Sequence, residues 1–128
     1  MKSLSPTPAR LNPELLLQIL DLPVSFHRCL VPITGSVTAA LLLSQAICTA
    51  QECDPASNGW FTKTQEEWAE ETGLSRCEQE TARRVLRDAG LMEERRFGMP
   101  AKLWYRVCPE RVWRALQDRA AAGAARGP

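Results

Sequence analysis

Histidine is almost missing from this sequence, and several other signs of catalytic chemistry are missing with it. One histidine, His27, stands among 128 residues, so the chain offers no second imidazole ligand for a metal. The five cysteines (Cys29, Cys48, Cys53, Cys77, Cys108) are an odd number and include no C-x-x-C pair. The ligand spacing of a zinc site is therefore absent. Reduced thiols packed as small apolar residues are expected, and with them a cytoplasmic location. No carboxylate pair, nucleophile–base set or glycine-rich phosphate loop emerges, so neither an enzyme nor a cofactor is expected. A long hydrophobic run is missing too. The most apolar stretch, "VTAALLLSQAI" (37–47), is about half of the ~20 residues that a membrane span requires. The opening "MKSLSPTPAR" leads into prolines and not into an apolar run, so no signal peptide and no membrane partner are read.

Charge of one sign is also lacking. The net charge is +1, with three Lys/Arg against four Asp/Glu in residues 1–60 and thirteen against eleven in residues 61–128. Nothing global pulls the chain towards a polyanion, and any basic surface must be local.

What is present is ordinary globular composition, 45% apolar and 24% charged, in a length that suits one domain with a core. Residues 1–11 read as a flexible arm. Asn12, Pro13 and Glu14 open a short helix over 12–20 in the order cap, first position, first turn. Residues 22–35, broken by Pro23 and Pro32, read as a short edge strand or extended loop. Ser36 caps a helix through residue 51 whose apolar residues cover most of its circumference, as in a central core helix with or without a dimer seam. "WFTK" (60–63) is a candidate strand. A hairpin follows over 91–107 around Gly98-Met99-Pro100, and a last helix over 109–119 precedes a disordered Ala/Gly tail, 120–128.

Between these lie two helices joined by a tight turn. Thr64-x-x-Glu67 and Ser75-x-x-Glu78 are capping boxes, each closing otherwise orphan backbone donors. Ala69 is small where two helices would cross, Gly73 permits a left-handed turn residue, Leu74 plugs the turn, and Gly90 ends the second helix. Two helices followed by a two-stranded wing make the fold class mainly α with a small β-hairpin wing, a winged helix-turn-helix spanning 12–119 with its flanking helices.

On a wheel of 100° per residue, Ala82, Val85, Leu86 and Ala89 share one face of the second helix. The opposite face collects Arg76, Glu80, Arg83, Arg84 and Arg87, a local charge of +3. Glu80 can pair with an arginine at i±3 or i±4, and Glu78 belongs to the cap beside Ser75. The hairpin adds Arg95, Arg96 and Lys102 around an apolar tip, while Glu93 and Glu94 dilute its charge. Trp60, Trp68, Trp104 and Trp113 read as core or half-buried residues, too scattered for a stacking surface.

Residues 59–107, "GWFTKTQEEWAEETGLSRCEQETARRVLRDAGLMEERRFGMPAKLWYRV", resemble the winged-helix domains of phage and plasmid replication-associated proteins. The pattern Trp-x-x-Lys-Thr-x-x-Glu-Trp, then Gly-Leu-Ser-Arg, then Pro-Ala-Lys-Leu-x-Tyr-Arg carries the likeness, which covers roughly residues 22–113. It implies origin or operator binding, with the recognition helix on Arg76–Arg87. Initiators of that group carry a further helicase-loading or catalytic domain, so a repressor, accessory factor or phage-encoded inhibitor fits these 128 residues as well.

The expected partner is double-stranded DNA, bound sequence-specifically. Arg76 and Arg83 are placed to reach base edges, and Arg84, Arg87, Arg95, Arg96 and Lys102 to hold phosphates. Ser75 and Glu80 lie within the same contact face. A homodimer is expected, paired through 12–20, 36–50 or 109–119, because one small module binds weakly. The alternative is a winged-helix interaction module that binds a host or replication protein without DNA, as near-zero net charge and the acidic helix 65–71 suggest.

Overall fold

The computed structural model describes residues 13–20 and 23–125. The arm of residues 1–11 and the Asn12 cap lie outside them. Six helices and a three-stranded antiparallel sheet make up the described fold.

The first helix, α1, spans Pro13–Ile19, and the second, α2, spans Leu30–Thr34. The second corrects the extended reading of 22–35. Pro32 occupies the first turn of α2, where a missing N–H costs nothing, so it is no obstacle to the helix. Gly35 closes α2 at φ +72°, its N–H donating to Val31 O at 2.7 Å. Residues 23–27 do run without regular structure. They are tied to the core by Ser44, whose hydroxyl accepts the His27 N–H at 3.1 Å and donates to Ala40 O at 2.7 Å.

Ser44 belongs to α3, Val37–Glu52, which is capped by Ser36 as expected. Ala39, Ala40, Leu42, Leu43 and Ala46 are fully buried on it, so this is the central helix. Most of its apolar surface meets its own chain, while Val37 at its start is exposed and Ile47 is half-buried. The polar exceptions are satisfied: Lys63, with 6% of its side chain exposed, reaches Thr49 Oγ1 at 3.0 Å and the Glu71 carboxylate. Its ammonium also lies 5.1 Å from the Trp68 ring centroid. A buried ammonium left without that carboxylate would cost several kcal/mol, about 3–5 for a fully buried pair.

The strand β1 is Phe61–Thr62, and the helices α4 and α5 are Gln65–Thr72 and Arg76–Asp88. Both expected capping boxes form, with Thr64 and Ser75 each accepting the N–H of the glutamate three residues on. Gly73 stands at φ +79° and Leu74 is buried beneath the turn. Gly90 is at φ +75°, followed by the Leu91 N–H donating back to Leu86 O at 2.9 Å, which satisfies a terminal carbonyl of α5. Two expectations fail here. Ala69 is exposed; Trp68, Thr72 and Gln79 are buried instead where α4 and α5 meet. Ala89 is the exposed C-cap of α5, beyond the helical face that Ala82 and Leu86 bury.

The hairpin strands are β2, Met92–Phe97, and β3, Lys102–Val107. The sheet order is β1-β3-β2, with Phe61 opposite Tyr105 and Glu94 opposite Tyr105 from the other side. Phe61, Trp68 and Tyr105 form an aromatic core, with centroids 5.5–6.2 Å apart. Burying Trp68 alone contributes about 4–6 kcal/mol before entropy is set against it. The final helix, α6, runs Pro109–Ala125. Of the tail 120–128 expected to be disordered, residues 120–125 are helical, since the alanine run sustains helix and Gly123 alone does not stop it, and residues 126–128 lie outside the described residues.

Candidate functional site

α5 is an amphipathic rod whose inner face is fixed by Ala82 and Leu86. Its outward side is not uniform. Arg76 and Glu80, 73% and 53% exposed, pair at 3.5 Å across one helical turn. Such a surface pair is worth about 0.3–0.5 kcal/mol, little enough for a phosphate to displace it. Arg84 continues that row one turn further, exposed and without an ion pair among the described residues.

Arg83 and Arg87 differ. Arg83 has only 16% of its side chain exposed; its Nη1 donates to Tyr105 Oη at 3.3 Å and lies 3.6 Å from Glu94 Oε1. Arg87 donates to the same Oε1 at 3.1 Å. Arg83 therefore does not project as a base-reading finger: the hairpin packs over it. Glu94 is the cause. Strand alternation puts Met92 and Glu94 on the face of β2 that meets α5, so this carboxylate points at the helix and not at the hairpin tip. Its other oxygen, Oε2, is buried without a hydrogen-bond partner. Glu93, on the opposite face, pairs with Arg106 at 3.1 Å. Neither glutamate dilutes the tip charge.

The tip cations Arg96 and Lys102 are exposed and form no ion pair among the described residues. Arg95, one residue from Arg96, is on the other face of the hairpin, its guanidinium 5.3 Å from the Trp60 ring centroid. The two-residue period of the strand thus divides Arg96 from Arg95, while Lys102, opposite Phe97 at the strand end, shares the side of Arg95 by register and still borders the α5 groove. Between α5, the start of α4 and the hairpin runs a groove of about 550 Å³ whose charged walls include Arg76, Glu80, Arg83, Arg96 and Lys102. Ser75 is the cap of α5 and does not line this groove; its hydroxyl accepts the Glu78 N–H at 3.2 Å.

The acids of α4 are only half structural. Glu67 closes the capping box, and the Thr64 backbone N–H holds its carboxyl below the ordinary glutamate range. Glu71 accepts from Gln45 at 2.7 Å and from Lys63. Glu66 and Glu70 remain exposed with no ion pair among the described residues.

Comparison with known proteins gives no match: no family model, curated protein or solved structure is significantly similar to this chain. The likeness to phage and plasmid replication-associated domains rests on its own residues alone.

Several residues that shape the site escaped the sequence reading of its chemistry. Gln79, 2% exposed, donates from Nε2 to Gln65 O at 3.1 Å and Leu74 O at 3.0 Å, stapling the turn between α4 and α5. Glu94 and Tyr105 set the pose of Arg83. The signal for Glu94 was available in the alternation from Met92, combined with the Arg83–Arg87 spacing of one helical turn. The cysteines also depart from expectation: Cys29 and Cys77 are exposed, Cys48 and Cys53 half-buried, and Cys108 buried. Among the described residues, no cluster of three or more His, Cys, Asp or Glu could hold a metal ion, and no helix is long and apolar enough to cross a membrane.

Proposed function

We propose that this chain is a winged helix-turn-helix protein that binds duplex DNA sequence-specifically, as a regulator or replication accessory factor of the phage or plasmid kind. α5 enters the major groove, and the β2–β3 hairpin lies along the backbone as the wing. The observation that carries the reading is the set of available cations in and beside the groove between α5 and the hairpin, where Arg76, Arg96 and Lys102 line the wall and Arg84 is exposed on the same helix. Arg84, Arg96 and Lys102 are unpaired, and Arg76 is held only by a surface pair. Arg76 and Arg84 read base edges, where arginine matches guanine O6 and N7. Arg96 and Lys102 hold phosphates, and Arg83 and Arg87 position the helix against the wing through Glu94. A module with so few cations binds weakly alone, so two copies share a site. Their contact uses Trp113, 63% exposed on α6 beside an apolar groove of about 460 Å³ walled by Ile47, Val107, Val112 and Leu116.

Selection from a random duplex pool tests the proposal. A recovered motif whose binding weakens on Arg84→Ala by about 1–3 kcal/mol at one base position supports it. An empty selection, with binding to random duplex that does not fall with salt, overturns it. One observation favours a second reading, a protein-interaction module. Glu66 and Glu70 stand unpaired on α4, the element that would lie nearest the backbone. In that case a partner captured from cells survives nuclease treatment and no duplex is bound.

A further inference from the structure

The hairpin has a second face, turned away from α5, and its residues are gathered from distant parts of the sequence. Trp60, Phe97 and Trp104 meet there, with Phe97 centroids 6.2 Å from Trp60 and 5.3 Å from Trp104. Their planes cross at 62° and 47°, so none of these pairs is stacked face to face. Phe97 is 44% exposed, and both tryptophans are half-buried. A scattered set in the sequence is thus one aromatic surface in the fold. Antiparallel pairing produces it: Arg95 lies opposite Trp104, and Phe97 opposite Lys102, on alternate positions sharing one side.

The charges on that side suit a polyanion. Arg95 lies over Trp60, Lys102 is exposed at the end, and Arg106 is neutralised by Glu93, which leaves a net +2. Exposed π-faces flanked by cations bind unstacked bases and their phosphates without demanding a sequence. We infer that the outer face of the hairpin is a stacking site for single-stranded DNA, distinct from the α5 groove in its aromatic residues and sharing with it only Lys102 at the tip. The commitment to DNA rests on the duplex reading of the α5 groove, because a strand leaving that duplex is itself DNA; aromatic stacking and phosphate contacts do not themselves read the sugar. Two nucleic-acid surfaces on opposite sides of one hairpin suit a junction at which duplex opens into single strand.

The experiment uses the full chain, titrated with an oligothymidylate of about 12 nucleotides and followed by tryptophan fluorescence. Stacking on Trp60 and Trp104 quenches the emission. Phe97→Ala weakens this binding about fivefold or more, and Phe97→Leu, which keeps apolar bulk but loses the π-face, weakens it as well. Arg84→Ala leaves it unchanged. Because Phe97 has no part in the duplex reading, binding of selected duplex by Phe97→Leu stays at the wild-type level, and failure of either proposal leaves the other measurable. Circular dichroism and melting confirm that both Phe97 variants are folded; Arg95→Ala provides a surface variant with the same expected loss. The inference is overturned by absence of quenching in the wild-type chain, by unchanged single-strand affinity in Phe97→Leu, or by preference for oligouridylate. Concentration-dependent self-association abolished by Phe97→Ala, without single-strand binding, would assign the face to a second copy instead.

Discussion

Glu94 restrains the arginines it holds, and Glu94→Gln measures by how much. One oxygen of this carboxylate serves both Arg87, at 3.1 Å, and Arg83, at 3.6 Å. The outward and hairpin-facing side of α5 then carries four arginines against Glu80 and Glu94, 4 − 2 = +2. The amide raises this to +3 while still offering an oxygen to Arg87. Arg87, 48% exposed, is free to turn outward, whereas Arg83, at 16%, stays behind Tyr105. One added phosphate contact steepens the dependence of log K on log salt by about 0.9. A gain of about 1 kcal/mol corresponds to duplex affinity about fivefold tighter. The stability cost is about 1–3 kcal/mol, since one charge-assisted hydrogen bond becomes an ordinary one and the buried, partnerless Oε2 is replaced by an amide NH2. Fluorescence anisotropy over a salt series reads the affinity and the slope, and thermal melting reads the stability. A folded variant whose duplex affinity and salt slope match the wild type would refute the reasoning, because the released arginine would then be meeting no phosphate.

Other expected outcomes are structural. Gln79→Ala removes the partner of the buried Leu74 carbonyl in the α4–α5 turn and of the Gln65 carbonyl at the start of α4, and lowers stability by about 1–3 kcal/mol in thermal or urea unfolding. Gly73→Ala costs about 1–2 kcal/mol by conformation alone, since an added Cβ meets nothing within 4 Å while φ stays at +79°. Thiol labelling at mildly alkaline pH modifies Cys29 and Cys77 first and Cys108 last, because burial, followed by Glu93, raises the Cys108 thiol pKa. Glu67 has a folded pKa below its ordinary value, so its capping contribution is complete above the ordinary glutamate range and is lost as pH falls through the depressed value. The Thr64 amide resonance should report that loss first.

The elements legible in the sequence were those written in local chemistry. Capping boxes at Thr64 and Ser75, the glycine at 73 and the serine at 36 each act within four residues, and each marks its helix boundary. The hairpin was legible for the same reason, its strands being bounded by a turn that its own residues make. Residues 30–34 misled because Pro32 reads as a breaker unless its place in a first turn is known. The tail misled because helical alanine and disordered alanine look alike in composition.

The side-chain partners were another matter. Whether an arginine on α5 faces solvent or a carboxylate depends on which strand packs beside it, and that packing joins residues seven to twenty-two positions apart. The sequence by itself determined where the capped helices α3, α4 and α5 start and stop, and that α5 has one apolar and one basic side, because backbone capping and helical periodicity are short-range. Only the tertiary structure decided that Glu94 takes two of those arginines and that Trp60, Phe97 and Trp104 share a face. Strand parity and strand pairing decide it, and their consequences are fixed only when the sheet closes against the helix.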